Sequence, residues 1–248
     1  MLKTEKVNDY KIEPKVKSKI DKRPYSYSNV FNHPFPNIYL CAKKNSGKSV
    51  LISNLIDILA DKKNTEVIIF SSTIKNDQLF IEYVKKRNKD GYNIKVSKNP
   101  DDLHTHTDLV EKFLDDPKRS KVYYDYPRQF PLAIYIMDDF RISLREDKYL
   151  NDIASRNRHY KSVIIYSSQR YRDVSTIVRI NLNVLVLFAG MNEVNIKTCY
   201  EECINDMKLS YEDFKLLYDD ATREKYGFLY IDVDLQEFRK NLSNKYVL

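Results

Sequence analysis

The segment Ala42-Lys43-Lys44-Asn45-Ser46-Gly47-Lys48-Ser49 places a lysine and a hydroxyl directly after a glycine, between an apolar run and a stretch of helical periodicity. That is the setting a phosphate-binding loop requires. Backbone N–H groups and the helix N-terminus would cradle β- and γ-phosphates. Lys48 would bring a point charge to those phosphates, and the Ser49 hydroxyl would coordinate Mg²⁺. Gly47 lets the backbone approach closely, and Lys44, Asn45 and Ser46 complete the nucleotide-binding set. The pattern departs from the usual loop at its first position, where Ala42 replaces glycine. The competing reading is a chance Gly-Lys-Ser on an ordinary strand–turn–helix. Its placement favours the loop, as does the use there of one of only four glycines in 248 residues.

A second candidate group is acidic. Ile134-Tyr135-Ile136-Met137-Asp138-Asp139 ends an apolar run on two carboxylates. A carboxylate at the end of a buried strand is costly unless something uses it. A magnesium ion near the loop serine supplies that use. Asp138 would hold the ion and Asp139 would orient and deprotonate an attacking water. The alternative is a polar strand exit that caps the next helix. Gln169 closes the polar end, Ser167-Ser168-Gln169, of a third apolar run, Val163 to Tyr166, where it could sense a γ-phosphate or position water. Around that run stand Arg156, Arg158, His159, Arg170, Arg172 and Arg179. Phosphoryl transfer gains from an arginine that neutralises the transition state, often donated by a neighbouring subunit. Arg156, Arg158 and Arg179 are the candidates, each weighed against an ordinary surface or DNA-facing role. His159 reads as structural.

These residues need elements to position them. Ile38 to Ala42 has strand character, and Leu51, Leu55, Ile58 and Leu59 repeat at helical spacing. Glu66 to Ser71, Asn93 to Val96, Leu132 to Met137, Val163 to Tyr166, Val184 to Phe188 and Phe228 to Val233 read as further strands, the last taken as the final one. Helices are expected over Asp77 to Arg87, around Leu109 to Leu114, over Asn192 to Met207 and over Tyr211 to Tyr218. Strands apolar on both faces, alternating with helices, predict an α/β domain with a mainly parallel central sheet flanked by helices. Ligands in such sheets bind beyond the carboxyl ends of the strands, where Asn45 to Ser49, Asp138-Asp139 and Ser168-Gln169 gather. The domain is expected over 34–234, with a basic, flexible N-terminal arm over 1–33 and a tail over 235–248.

Composition narrows the function classes. Hydrophobic residues at 42% and charged residues at 31% suit a globular chain. No apolar run reaches the roughly 20 residues of a membrane span. Met1 to Tyr10 has no signal-like apolar stretch, so a cytosol-like compartment is expected. Cys41, Cys199 and Cys203 make no disulfide framework and read as free thiols. The net charge of +7 permits a polyanionic partner. Much of it lies in Lys3, Lys6, Lys11, Lys15, Lys17, Lys19, Lys22 and Arg23, either a solvated arm or a nucleic-acid contact.

With these residues in view, the chain resembles the genome-packaging ATPases of large DNA viruses and virophages, a branch of the FtsK–HerA superfamily. Four segments carry the likeness: Ala42 to Ser49; Leu132 to Asp139; Ser155-Arg156-Asn157-Arg158-His159-Tyr160-Lys161-Ser162; and Ile164 to Asn181. The resemblance spans roughly 36 to 233. It implies a RecA-like P-loop core, a homomeric, hexameric ring, and ATP-driven translocation of double-stranded DNA into a capsid. It implies ATP and Mg²⁺ as ligands, viral capsid proteins as partners, and a virion or a cytoplasmic viral assembly site as location. Lys48 and Ser49 correspond to the nucleotide and metal positions, Asp138 and Asp139 to the Walker B acids, and Gln169 to the sensor. Asp139 stands where many of the wider superfamily carry glutamate, and the shorter base requires an adjusted water geometry. Two rival functions share the loop. One is a nucleotide or small-molecule kinase with a lid over 115–130, carrying Lys118, Arg119, Lys121 and Arg128. The other is an assembly protein that binds nucleotide without hydrolysing it.

Overall fold

A computed structural model describes residues 21–71, 77–99, 101–139, 148–204 and 209–248. Nine strands form one sheet: β1 (Asn37–Cys41), β2 (Glu66–Ser71), β3 (Asn93–Ser97), β4 (Ala133–Asp138), β5 (Ser162–Ser168), β6 (Val184–Phe188), β7 (Phe228–Asp232), β8 (Glu237–Lys240) and β9 (Asn244–Lys245). Their order is β3-β2-β4-β5-β1-β6-β7-β8-β9. Pairing is parallel from β3 across to β6. It is antiparallel from β6 to β9. The continuous apolar runs are thereby explained, because β1, β4, β5, β6 and β7 bury both faces. Only Asp138, at the end of β4, departs from full burial in those strands.

The helices are α1 (Lys48–Leu59), α2 (Gln78–Lys89), α3 (Asp101–Asp115), α4 (Pro117–Tyr124), α5 (Lys148–Arg156), α6 (Thr176–Ile180), α7 (Glu193–Cys199) and α8 (Tyr211–Ala221). Strand residues alternate between two cores. Ile38, Leu40, Ile69, Ile136 and Ile165 pack with Leu51, Ile52, Leu55, Ile56 and Leu59 of α1. Tyr39, Cys41, Phe70, Tyr135 and Tyr166 face the other way, with residues of α3, α5, α7 and α8. At roughly 25 cal/mol per Å² of apolar surface, the five buried side chains of α1 fix that helix against the sheet, and with it the residues at its N-terminus.

Several expectations change. The helix expected around Leu109 to Leu114 starts at Asp101, and α4 follows it, with the Asp116 side chain capping its N-terminus. The helix expected through Met207 runs to Cys199 and widens into a π turn over Tyr200–Ile204, while 205–208 lie outside the described residues. Phe228–Asp232 is not the last strand. The chain turns back through Gln236, at φ 55°, and adds β8 and β9 inside the stretch read as a tail.

Residues 21–33, read as part of an arm, pack against the domain. Tyr27 and Phe31 are buried in the α1-side core. Arg23 donates to the carbonyls of Tyr123 and Tyr126 at 2.8 and 2.9 Å. His33 Nε2 lies 3.1 Å from the buried Asp232 carboxylate. The remaining basic residues of the arm, Lys3 to Lys19, lie outside the described residues. At the sheet's two rims, β3 buries only Ile94, and both residues of β9 are exposed.

Candidate nucleotide-binding site

β1 ends at Cys41 and α1 begins at Lys48, so the loop between them crosses the carboxyl edge of the sheet. Asn45 and Gly47 adopt left-handed backbone, at φ 62° and 95°. Such a local reversal turns successive N–H groups to one side and makes an anion-binding concavity. Gly47 is the N-cap of α1, and no side chain caps that end. The first-turn donors and the positive end of the helix dipole are therefore left to a ligand or water. A Cβ at Gly47 would stand 3.2 Å from Tyr226 in a backbone conformation that side chains rarely adopt. Ala42, the departure from the loop pattern, has no such constraint. Its N–H bonds the Ser168 carbonyl at 2.8 Å, and its methyl is buried in the core beneath the loop.

Strand order brings the acids to the loop. β5 lies between β1 and β4, so the two strand ends are separated by two spacings, about 9–10 Å. The Lys48 side chain crosses that gap. Its Nζ lies 2.9 Å from Asp138 Oδ1 and 3.3 Å from Asp139 Oδ2. Asp138 sits in register between Ser71 of β2 and Ser167 of β5. Ser167 Oγ donates to its Oδ1 at 2.9 Å, and Ser71 Oγ to its Oδ2 at 3.4 Å. Asp139 leaves the strand in left-handed backbone at φ 52° and donates its N–H to the Ser167 carbonyl at 3.0 Å.

Among the described residues, Asp139 Oδ1 and Ser46 Oγ are buried polar atoms without a hydrogen-bond partner. Leaving such an atom unsatisfied costs about 1–3 kcal/mol, so this is a place where a ligand or water atom is favoured. The donor set also suits Mg²⁺, a hard cation held by one or two carboxylates, substrate phosphates and water. Ser49 and Asp138 line the same cleft, of about 1180 Å³. The described residues contain no group of three or more His, Cys, Asp or Glu that could hold an ion by itself.

That cleft runs from the loop along α1 to α2. Lys43, Lys44, Asn45, Gly47 and Lys48 line one end; Asp57, Phe80, Tyr83 and Arg87 line the other. Tyr83 donates to Asp57 Oδ1 at 2.7 Å, and Arg87 pairs with the same carboxylate. Burial, followed by that bond to Asp57, raises the Tyr83 hydroxyl above its usual range. Phe188, Tyr226 and Phe228 form the wall on the β6–β7 side. None of these wall residues stood out in the sequence. The scarce glycine at 227 was the available signal for Tyr226. A Cβ there would meet the Ala221 carbonyl at 2.5 Å, so the loop is shaped around it.

The other candidates are placed differently. Gln169 is partly exposed at the end of β5, between the lysine and the acids in strand order, but does not line the cleft. Arg156 pairs with Asp152 at 3.3 Å and Glu111 at 3.6 Å, over the Tyr160 ring. Arg179 is committed locally. Its side chain is 10% exposed and bonds Glu202 at 2.7 Å, the Val174 carbonyl at 2.7 Å and Thr176 Oγ1 at 3.2 Å. Arg158 is exposed, with no ion pair among the described residues. No arginine of the three lines the cleft, and neither do Lys118, Arg119, Lys121 or Arg128.

The thiols are buried or half-buried and unbridged. Burial pushes Cys41 up to about 12, well away from a reactive thiolate. No helix among the described residues is long and apolar enough to cross a membrane.

No protein-family model matches the chain. Over 132 residues it is 26% identical to uncharacterized protein 075L of Invertebrate iridescent virus 6. That match covers 52% of this chain and 49% of the other, so the chain spans about half the length of the curated relative it matches. The genome packaging NTPase B204 of Sulfolobus turreted icosahedral virus 2, solved with AMPPCP, superposes at a TM-score of 0.55 with 18% identity. The superposition covers 84% of this chain and 97% of that one. B204 of Sulfolobus turreted icosahedral virus, a DNA-packaging ATPase, matches at 0.55 and 18% identity, over 82% of this chain and 95% of that one. These likenesses establish a shared mixed α/β fold.

Proposed function

We propose that this chain is an ATPase motor that drives double-stranded DNA into a viral capsid as a homomeric, hexameric ring of the FtsK–HerA type. The observation that carries the nucleotide part is the ammonium of Lys48 between Asp138 and Asp139, at the uncapped end of α1. Lys48 exchanges these carboxylates for the β- and γ-phosphates of ATP. Ser49 and Asp138 would hold Mg²⁺, which would offset the charge of the phosphates. Asp139, with one oxygen unpartnered among the described residues, accepts a proton from the attacking water. Gln169 orients that water or reports the γ-phosphate. Of the three candidate arginines, Arg156, Arg158 and Arg179, Arg158 is favoured as the finger donated to a neighbouring subunit, because it is exposed with no ion pair among the described residues, whereas Arg179 is held locally and Arg156 is paired.

The packaging part rests on the four sequence segments and on the fold shared with B204, whose structures hold AMPPCP, AMP and ATP-gammaS. The net charge of +7 suits sequence-independent phosphate contacts along DNA. ATP hydrolysis measured with and without duplex DNA tests both parts. Turnover should rise with DNA at low salt, lose that rise as salt increases, and disappear in Lys48→Ala. Turnover indifferent to DNA at low salt refutes the motor. Turnover that survives Lys48→Ala refutes the site.

A further inference from the structure

We infer that Tyr226 is the stacking platform for the base of the bound nucleotide, which gives the triphosphate site a second, base-binding half on the β6–β7 side. The inference rests on the nucleotide reading above and follows from the direction in which the site runs. Strand order puts β4, with Asp138 and Asp139, on one side of β1, and β6 and β7 on the other. The terminal phosphate belongs with the acids. The rest of the nucleotide then leaves the loop in the opposite direction, toward β6 and β7.

There the chain presents an aromatic wall. β7 pairs antiparallel with β6, Phe228 opposite Phe188, so the turn before β7 comes back to the carboxyl edge of the sheet. Tyr226 lies in that turn, with its Cβ and Cδ1 3.2 Å from the position a Gly47 Cβ would occupy. It is 54% exposed and lines the same cleft as Lys48 and Ser49. Val50, 65% exposed in the first turn of α1, lines it as well. Phe188 and Phe228, their rings 5.2 Å apart, back this wall. Two large apolar side chains left exposed beside a phosphate loop suit a flat, weakly polar ring.

The Tyr226 face already attracts a partner, because Lys225 Nζ stands 4.9 Å from its centroid. A base stacked there takes the place of the ammonium. The turn is built rather than slack. Tyr226 holds left-handed backbone at φ 68°, Gly227 N–H bonds the Glu224 carbonyl at 2.9 Å, and Thr222 Oγ1 donates to the Tyr218 carbonyl at 2.7 Å. Stacking uses the π-face that every base has, so the platform favours a nucleotide over bare phosphate without choosing strongly among bases.

The test compares calorimetric binding of ATP with that of inorganic tripolyphosphate, in the full chain and its variants. Tyr226→Ala should weaken ATP by about tenfold or more, the worth of one base–aromatic stack, and leave tripolyphosphate within about twofold. Tyr226→Phe should bind both as the parent does. Lys48→Ala should weaken both ligands together. Equal losses of ATP and tripolyphosphate in Tyr226→Ala would mean that the ring only props the loop at Gly47, and would overturn the inference. Unchanged ATP affinity in that variant would overturn it too, while the phosphate site stood. A parent chain that binds neither ligand would instead defeat the nucleotide reading and this inference with it.

Discussion

Replacing Lys48 by alanine should destabilise the nucleotide-free protein through its two carboxylate partners, and the loss should shrink once Asp138 is neutralised and Asp139 alone is left to pair the lysine. Lys48 Nζ lies 2.9 Å from Asp138 Oδ1, with side chains 13% and 18% exposed. At that distance and an effective dielectric of about 20, the gross attraction is about 6 kcal/mol. Removing both charges from water offsets most of it. Exposed pairs retain under about 1 kcal/mol and broken buried pairs cost about 3–5, so this largely buried pair should couple by about 1–3 kcal/mol. Lys48→Ala leaves Asp138 and Asp139 adjacent without their shared cation. Asp138→Asn leaves the ammonium with Asp139, 3.3 Å away. The assay is urea denaturation of the parent, both single variants and the double variant, without nucleotide or magnesium. The Lys48→Ala midpoint should fall by about 2–12 °C in a parallel thermal scan, at about 2–4 °C per kcal/mol for a chain of this size. Single-variant effects that add to within about 0.5 kcal/mol would refute the coupling, and with it the idea that the acids hold the lysine in readiness.

Three further outcomes follow from geometry elsewhere. Gly227→Ala should cost about 2–4 kcal/mol by denaturation, because the added methyl meets the Ala221 carbonyl at 2.5 Å and backbone cannot yield cheaply; a loss under 0.5 kcal/mol, on the order of a surface change, would contradict it. The hydrogen bond with His106, and then that with Lys95, holds the Glu66 carboxyl down at about 2. Such a group adds stability that is full above its unfolded value of about 4.3 and lost as pH falls toward the folded one. Glu66→Gln should therefore lose less stability than the parent between pH 4.5 and pH 2, roughly the window between those two values, in urea titrations at fixed salt. Arg179→Ala should lose about 1–3 kcal/mol with its bonds to Glu202, Val174 and Thr176. Arg158→Ala should stay within about 0.5 kcal/mol of the parent while lowering ATP turnover, and the opposite ranking would exchange their roles.

Much of this was legible in the sequence because the site sits where local pattern is strongest. Cys41 and Asp138 end fully apolar runs, and the glycine before Lys48 stands out in a glycine-poor chain. What escaped was set by tertiary contact. Only Leu103 and Val110 of α3 are buried, so its first two turns carry no apolar stripe to read. Phe238 alone of β8 is buried, too little alternation to separate a strand from a tail. Tyr27 and Phe31 lie with Tyr25 and Val30 in a short stretch without clear periodicity, and their burial depends on partners far along the chain. Arg179 looked available because Glu202, which holds it, lies in a later helix. Tyr226 reaches Gly47 only after the sheet has folded back through β7.

The sheet's rims bear on how copies of this chain could gather. β3 turns one buried residue inward and carries Lys95 outward, and β9 is two exposed residues long. Neither margin offers a long flat template for strand addition. Copies of this chain that met would have little edge strand to share, so their contact would rest on helices and turns rather than on a continuous ladder of backbone hydrogen bonds.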